Sequence, residues 1–250
     1  MVTGAARGIG RGIAERLLEA GWNVALADVL TKEGRATVKE LNGTQGKEGA
    51  QAVFIPCDVS VEKEVAATVK KVVKEFGRLD AVVNNAGLAS PYNGPVEKLA
   101  LKDWNKWIGV NVTGAFLCAK HAAVHLRKTG RGAIVNIAST RAMQSEADTE
   151  AYSTSKAGML GLTRALAVSL GPKVRVNAIC PGWIDNRSAK ESAAAAKREK
   201  HGQHPAGRVG RPEDIAEMAL FLLDGKRSGF VTGQSFVCDG GMTVKMVYEE

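Results

Sequence analysis

The chain has 250 residues, of which 45% are hydrophobic and 24% charged, which is enough apolar material for one large core. A formal net charge of +8 would suit a nucleic-acid-binding surface, but the basic residues are scattered. The densest basic stretch, residues 190–201, has no aromatic side chain on which a base could stack, so we expect no nucleic-acid partner.

Hydrophobic runs are short throughout the sequence. None approaches the roughly 18 consecutive apolar residues of a membrane span, and the first twenty residues include five charged side chains. We therefore expect neither a membrane segment nor a signal peptide, and a cytoplasmic location.

Cysteine and histidine usage gives no sign of a disulfide framework or a metal centre. The four cysteines lie far apart without a Cys-x-x-Cys pair, so they are interpreted as reduced, buried thiols. His121 and His125 have the spacing of helical metal ligands, but no glutamate lies between them and no third ligand is evident. We interpret them as part of an exposed helix face and expect no bound metal.

Short β-branched runs alternate with longer amphipathic stretches along the chain, a pattern typical of a parallel sheet with crossover helices. Only residues 1–3 are available for a first strand, and further strand-like runs follow at residues 24–28, 52–57, 79–84, 133–139, 174–180 and 235–239. Helical periodicity covers residues 9–18, ending at Gly21, and residues 61–76, with Ser60 as the predicted N-cap. A long helix is predicted from about residue 104 to 126. Pro212 opens a later helix with Ile215, Ala219 and Leu222 on its buried face.

No linker or internal repeat divides the chain, so residues 1–250 are predicted to form a single domain. The fold class is doubly wound α/β, with a parallel sheet of about seven strands covered by helices on both faces and ligands bound beyond the carboxyl ends of the strands. The short first strand is unusual for such a sheet. Either the true start lies upstream, or neighbouring strands must supply the missing support.

The first turn is rich in glycine. Gly4, Gly8 and Gly10 lie where a strand turns sharply into a helix, so backbone N–H groups at the helix start could face a pyrophosphate. The spacing differs from the usual G-x-G-x-x-G, and a glycine-rich loop of this kind is common on its own.

Five further signals follow this Thr-Gly-x-x-x-Gly-x-Gly turn in order: Asn-Asn-Ala-Gly at 84–87, Asn111, Ser139, Tyr152-x-x-x-Lys156 and Pro181-Gly182. In order and approximate spacing they resemble the short-chain dehydrogenase/reductase family over essentially the whole chain. The resemblance implies a Rossmann fold and hydride transfer between a nicotinamide dinucleotide and a secondary alcohol or ketone.

Asp28 ends the second predicted strand, where a carboxylate can accept hydrogen bonds from both ribose hydroxyls of NAD. A 2′-phosphate there would cost about 4 kcal/mol for each unit-charge pair at ~4 Å and an effective dielectric near 20. Arg7 indicates the opposite preference, because a basic residue in this turn can serve NADP in the family. NAD is the predicted cofactor, with NADP as the alternative.

The resemblance implies a wider set of cofactor contacts, made by Gly4, Arg7, Gly8, Ile9, Gly10, Asp28, Asp58, Val59, Asn85, Ala86, Gly87, Tyr152, Lys156, Pro181, Gly182 and Ile184. Without the family, Asp58 would be interpreted as a loop or cap residue and Asn85 with Gly87 as a turn. The family usually has threonine where this chain has Asn186, which leaves the contact to the nicotinamide carboxamide open.

Tyr152 and Lys156 lie one helical turn apart, so both side chains can face one ligand, although such a pair is also common on solvated helices. The resemblance implies that Tyr152 exchanges a proton with the substrate oxygen, Ser139 holds that oxygen and Lys156 also holds the nicotinamide ribose. The ammonium and the cationic nicotinamide are expected to lower the tyrosine pKa by about 3 units. In the family the backbone carbonyl at the position of Asn111 orients a water linked to the lysine. Outside the family, Asn111 would be an ordinary polar helix residue.

The sequence leaves the substrate open. Residues 183–207 are predicted to cover it, and basic residues in this segment (Lys190, Lys197, Arg198, Lys200 and His201) would attract an anionic substrate, whereas the polar and mostly acidic 140–150 loop would suit a polyol. We predict a small polar alcohol, polyol or sugar, with 3-oxoacyl thioester reduction as the alternative. A non-catalytic NAD sensor or scaffold is a third hypothesis, from another class.

The family resemblance also implies a homotetramer. Helices near residues 104–127 and 152–170 would pack against their symmetry mates. Their small residues would serve an intramolecular core equally well.

Overall fold

The computed structural model describes residues 1–43, 49–186 and 202–246. Its centre is a seven-stranded sheet in the order β3-β2-β1-β4-β5-β6-β7 with every pairing parallel. The strands are β1 (Val2–Thr3), β2 (Val24–Asp28), β3 (Ala52–Pro56), β4 (Ala81–Asn84), β5 (Gly132–Ile137), β6 (Val174–Pro181) and β7 (Ser235–Cys238). The predicted doubly wound α/β fold is confirmed.

The helices cover both faces of this sheet. They are α1 (Gly8–Glu19), α2 (Thr31–Gly43), α3 (Glu62–Phe76), α4 (Leu101–Ile108), α5 (Gly114–Lys128), α6 (Glu150–Leu170), α7 (Pro212–Leu223) and α8 (Gly225–Ser228). Successive side chains of a strand point to opposite faces. Leu26 accordingly belongs to the core under α1 and α7, and Ala27 to the core under α3 and α5.

The first strand has only two residues, and its neighbours supply the support that a longer strand would have. Val2 pairs with Leu26 on one side and with Val83 on the other, and its side chain is fully buried. The Thr3 hydroxyl donates a hydrogen bond to the Val83 carbonyl, at 3.3 Å. The short strand is therefore held in mid-sheet on both edges.

Helix ends confirm some predictions and correct others. The first helix ends at Glu19, and Gly21 follows with φ at 88°. Ser60 is not an N-cap, because α3 begins at Glu62 after Val61, and the Ser60 hydroxyl donates instead to Asp58.

The long helix predicted from 104 to 126 extends from Leu101 to Lys128 and is interrupted by a π-helical turn at Gly109–Thr113. The helix opened by Pro212 buries Ile215, Ala219 and Leu222 completely, as predicted.

The burial of the cysteines and histidines differs in part from the prediction. Cys57, Cys118 and Cys180 are buried free thiols, but Cys238 is only half-buried. His121 and His125 are half-buried rather than fully exposed. The described residues contain no cluster of three potential metal ligands, and none of their helices is long and apolar enough to cross a membrane.

Candidate active site

The predicted site residues lie at the carboxyl-terminal edge of the sheet, where β1, β2, β4, β5 and β6 end. The glycine-rich turn there is tightly packed: a Cβ on Gly10 would lie 2.3 Å from the Gly4 carbonyl oxygen and 2.4 Å from Nδ2 of Asn85. Gly4 and Gly8 both have positive φ, at 63° and 59°. A side chain is therefore excluded at Gly10 by space and disfavoured at Gly4 and Gly8 by backbone conformation.

The start of α1 is suited to an anion. No side chain caps it and its first turn contains no acidic residue, so its N–H groups keep their capacity to bind a ligand. Arg7, the N-cap residue, is exposed beside them, while Ile9 is half-buried against the core. These features fit the pyrophosphate of a dinucleotide.

The end of β4 holds the glycine-rich turn in place. The backbone N–H groups of Asn85 and Ala86 both donate to the Thr3 hydroxyl oxygen at 3.0 Å. The Asn85 side-chain amide donates to the carbonyls of Thr3 and Gly4 at 2.9 Å. The Asn85 side chain thus acts within the protein, and Thr3 is a supporting residue that the sequence reasoning missed.

Asp28 ends β2 with its carboxylate next to the same turn. One oxygen accepts a hydrogen bond from the Ala6 N–H at 2.9 Å and the other from the Leu30 N–H at 3.0 Å. Each carboxylate oxygen can accept more than one hydrogen bond, so the pair retains capacity for ribose hydroxyls.

The two residues after β3 have local structural roles. Asp58 accepts hydrogen bonds from the backbone N–H and the hydroxyl of Ser60, at 2.9 and 2.6 Å. Val59 is buried, and its side chain lies 2.7 Å from the position that a Cβ on Gly114 would occupy. The structure by itself therefore fits the loop interpretation of Asp58, and the adenine contact stays a prediction.

Tyr152 lies on α6 and Ser139 just after β5, and their side chains are close enough for the Ser139 hydroxyl to influence the pKa of the phenol. Burial raises the pKa of the Tyr152 phenol, while the Ser139 hydroxyl and the positive charge of Arg141 oppose that rise. The expected lowering of this pKa is therefore not found in the protein alone, because burial outweighs the favourable contacts.

Lys156 is nearly inaccessible to solvent. Its Nζ donates to the Ile137 carbonyl at 2.9 Å, and burial lowers the pKa of the amine to about 8. A Cβ on Gly87 would lie 3.6 Å from this Nζ and 3.1 Å from Oδ1 of Asn111. The side chains of Asn111 and Lys156 therefore lie close to Gly87, beside Tyr152.

Asn111 lies in the π-helical turn and joins two elements of the site. Its side-chain oxygen accepts from the Leu88 N–H at 2.8 Å, and its amide donates to the Ser155 hydroxyl at 2.9 Å. Ser155 in turn donates to the Tyr152 carbonyl at 2.7 Å. Ser155 was missed, and its place in Tyr152-x-x-Ser155 gives no signal until the fold sets it against Asn111.

Trp107 packs against Tyr152 edge to face, with the ring centres 5.6 Å apart and the planes at 77°. Trp107 also lines a cavity of about 470 Å³ between α4 and the loop after β4, together with Leu88, Ala89 and Tyr92. This space is large enough for a small organic molecule, and it adjoins the Tyr152 ring through Trp107.

The loop after β6 is described up to residue 186. Pro181 ends the strand, and Gly182 is packed so tightly that a Cβ would lie 2.6 Å from that of Asp239. Ile184 is buried in the core and bridges to Gly210, which leaves the predicted contact to the nicotinamide without support from its packing.

The side chain of Asn186 reaches the glycine-rich turn. Its Oδ1 is 3.0 Å from where a Cβ on Gly8 would stand. Most of the predicted 183–207 covering segment, with its five basic residues, lies outside the described residues.

A parallel sheet, an uncapped helix start behind a glycine-rich turn, and a Ser–Tyr–Lys group at the same edge define a nucleotide-dependent oxidoreductase. Comparison with known proteins agrees: the family model described as "Enoyl-(Acyl carrier protein) reductase" matches residues 4–243. The chain belongs to the short-chain dehydrogenase/reductase family. The predicted family, a nicotinamide cofactor and an enzyme acting on CH–OH groups are confirmed.

Two curated relatives and one solved structure cover nearly the whole chain. The cis-4-hydroxycyclohexanecarboxylate dehydrogenase of Sinomonas cyclohexanicum is 38% identical over 97% of this chain and 95% of that protein. The 3-oxoacyl-[acyl-carrier-protein] reductase of Chlamydia muridarum is 36% identical over 97% and 96%, respectively. The structure of a short-chain type dehydrogenase/reductase from Mycobacterium ulcerans aligns with a TM-score of 0.89 at 34% identity, over 98% of this chain and 89% of that one.

Proposed function

We propose that this enzyme transfers hydride between NAD and a small polar secondary alcohol or its ketone, through Ser139, Tyr152 and Lys156. The observation that carries the proposal is the convergence of these three side chains at the sheet edge where the glycine-rich turn lies. The nicotinamide, when bound, accepts or returns the hydride. The remaining chemistry is the movement of one proton and the control of charge on the substrate oxygen.

In the oxidative direction, the Tyr152 phenolate takes the hydroxyl proton of the alcohol as hydride leaves the carbinol carbon. Ser139 donates a hydrogen bond to the same oxygen and holds it while its charge changes. Lys156 favours the phenolate by its charge and binds the nicotinamide ribose. Asn111 fixes the helix that carries both groups, through Ser155.

The choice of NAD rests on Asp28. Its carboxylate is held beside the glycine-rich turn by two backbone N–H groups, so it cannot easily turn away from a 2′-phosphate. Arg7 is exposed and favours NADP. We place the adenosine ribose against Asp28 and propose NAD as the cofactor.

Two substrate classes have support among the relatives. One relative is named for a ring alcohol bearing a carboxylate, which is a small polar alcohol, and another for an acyl-carrier thioester. We favour the small alcohol, because the cavity lined by Trp107, the ring that packs on Tyr152, is about 470 Å³, a size typical of small-molecule sites. Reduction of a 3-oxoacyl thioester is the second candidate.

A substrate panel tests this proposal. The panel comprises 4-hydroxycyclohexanecarboxylate, 3-hydroxybutanoate, polyols and sugars with NAD, and 3-oxoacyl thioesters with NADH, followed by the absorbance of NADH. Turnover of a small alcohol supports the proposal, and turnover of thioesters alone favours the second candidate. A protein that binds NADH and turns over none of them would favour the sensor or scaffold hypothesis.

We also propose that the enzyme is a cytoplasmic homotetramer. Support for the assembly comes from apolar side chains on the two helices expected to meet their symmetry mates: Phe116 and Val124 on α5 are 44% and 56% exposed, and Val168 on α6 is 84% exposed. The cytoplasmic location stays a prediction from the sequence.

A further inference from the structure

Arg141 is the charged residue adjoining the catalytic group that the proposed reaction does not use. It lies in the short helical turn Thr140–Ala142, and its backbone N–H donates to the Ser139 hydroxyl oxygen at 3.2 Å. Its positive charge is close enough to help lower the pKa of Tyr152. A group bound to Arg141 would therefore lie near the reacting atoms.

One nitrogen of the Arg141 guanidinium is anchored. Nη2 lies 2.5 Å from Oε1 of Glu146, and the other oxygen of that carboxylate accepts from the Tyr92 hydroxyl at 2.5 Å. These contacts fix the guanidinium between the 140–149 loop and the loop after β4.

The other terminal nitrogen has no such partner. Nη1 of Arg141 is buried and makes no hydrogen bond within the part of the chain that the structure describes. A buried N–H of a charged group is costly to leave unpaired, so this atom is suited to an acceptor supplied by a ligand.

The two charges of the Arg141–Glu146 pair differ in exposure. The Glu146 side chain is 52% exposed and the Arg141 side chain 21%. Water therefore screens the carboxylate more than the guanidinium, and an anion at Nη1 meets a weakly screened positive charge and a strongly screened negative one.

Space for the rest of a ligand lies alongside. Tyr92, which anchors Glu146, also lines the cavity of about 470 Å³, and so does Trp107, which packs on Tyr152. Arg141 and Tyr152 are not among the residues that line this cavity, and it adjoins them through Tyr92 and Trp107.

We propose that Arg141 binds a carboxylate of the substrate, so that the oxidoreductase proposed above acts on hydroxy acids and the matching oxo acids. A carboxylate fits better than a hydroxyl, because both would accept a charge-assisted hydrogen bond from the guanidinium but only the carboxylate adds the attraction of its own negative charge. It fits better than a phosphate, because one free nitrogen would leave most phosphate oxygens without donors. The inference rests on the proposed function and names its substrate class.

The test compares each hydroxy acid of the panel with its primary amide, which has the same shape and no charge. In the wild-type enzyme we expect kcat/KM for the acid to exceed that for the amide by about 10- to 100-fold. In Arg141→Met the acid should lose far more activity than the amide, bringing the ratio near one. Arg131→Met is the matched control, since Arg131 is exposed at the opposite end of β5, and it should leave the ratio unchanged.

A binding measurement keeps the test independent of turnover and of folding. Cyclohexanecarboxylate should quench or shift the fluorescence of NADH bound to the wild-type enzyme at lower concentration than cyclohexanecarboxamide does. Arg141→Lys, which keeps the charge but not the planar fork, should retain part of the preference. It serves in place of Arg141→Met if that variant does not fold.

Different experimental results would overturn the role of Arg141 and the proposed function. Oxidation of neutral alcohols with no preference for acids, or an equal loss of acid and amide activity in Arg141→Met, would overturn the role of Arg141 alone. Wild-type enzyme that oxidises no alcohol would overturn the proposed function, and a carboxylate preference in binding would then still support Arg141 as an anion site.

Discussion

The ammonium nitrogen of Lys156 lies 5.7 Å from the centre of the Tyr152 ring. The two residues are four apart on α6, so the helix itself fixes their separation. Burial disfavours the charged form of each group: it raises the pKa of the Tyr152 phenol and lowers the pKa of the Lys156 amine.

Removal of the phenol oxygen should abolish catalysis without removing cofactor binding. In Tyr152→Phe the ring keeps its edge contact with Trp107, but no group can exchange the substrate proton. We expect kcat to fall by about 10²- to 10⁴-fold, with the Kd for NADH changed by less than about threefold. Steady-state kinetics and NADH fluorescence measure the two quantities, and wild-type turnover in this variant would reject the mechanism.

The buried amine should make stability depend on pH in a defined window. The Lys156 pKa is about 8 in the folded chain and near its ordinary value of 10.5 in the unfolded chain. Between these values the unfolded chain binds more protons, so the free energy of unfolding should rise with pH, by about 3 kcal/mol over the window. Below pH 8 both states are protonated and the cost of the buried charge is fully present.

Urea unfolding measures this contribution when the wild type is compared with Lys156→Met at several pH values from 7 to 10.5. Protein concentration and reductant are kept constant. The difference between the two proteins isolates Lys156, because the other titrating groups are common to both. At pH 7 the variant should have its greatest relative stability, and this advantage should decline as the pH rises. An advantage that stays constant across the window would contradict a depressed pKa for Lys156.

Asp28 should control the choice between NAD and NADP. The wild type should bind NADH about 100-fold or more tightly than NADPH, since each close pair of like charges costs about 4 kcal/mol near the protein surface. Asp28→Asn keeps the shape of the side chain and removes its charge, so the NADH-to-NADPH ratio of affinities should fall at least about tenfold. Arg7→Ala tests the opposing prediction, because a rise in that ratio would mean that Arg7 selects for NADP.

The glycine-rich turn offers a test based on volume alone. A Cβ on Gly10 would overlap the Gly4 carbonyl and the Asn85 amide, whereas a Cβ on exposed Gly43, also helical, meets no described atom within 4 Å. Gly10→Ala should therefore lower stability by at least about 1–3 kcal/mol and weaken NADH binding, while Gly43→Ala should add up to about 1 kcal/mol. Equal effects of the two changes in urea unfolding would show that the packing at Gly10 is not critical.

Local pattern was enough to predict most of the sheet. The predicted boundaries of β2 are those observed, and the buried face of α7 was correct at Ile215, Ala219 and Leu222, because hydrophobic periodicity is decided by nearby residues. Ser60 was wrong for an equally local reason. The Ser60 hydroxyl donates to Asp58, two residues away, instead of capping the helix. Serine hydroxyls near a helix start can bond either to the helix N–H groups or to such neighbouring polar groups.

The parts of the site that could not be predicted depend on contacts between distant segments. The Asn111–Ser155 hydrogen bond joins residues 44 apart, and Asn186 meets Gly8 across most of the chain. The pKa of Tyr152 depends on how deeply α6 is packed, and the spacing of residues in the sequence does not predict that depth. Family resemblance supplied which residues meet at the site, and the structure supplied how Arg141, Ser155 and Trp107 surround them.

The exposed apolar side chains of α5 and α6 lead to the last prediction, on assembly. Val168 is 84% exposed and Val124 56%, an exposure that favours burial against another copy of the chain. Light scattering should give four times the chain mass, and Val168→Lys should shift the protein to a smaller species, because the charges would meet across a symmetric contact. The control is Lys70→Arg on the exposed face of α3, which should leave the mass unchanged. Lys106→Val on exposed α4 would not serve as a control, because Lys106 lines the cavity. A monomeric wild type would reject the assembly, whereas a tetramer unaffected by Val168→Lys would place its interfaces on other surfaces.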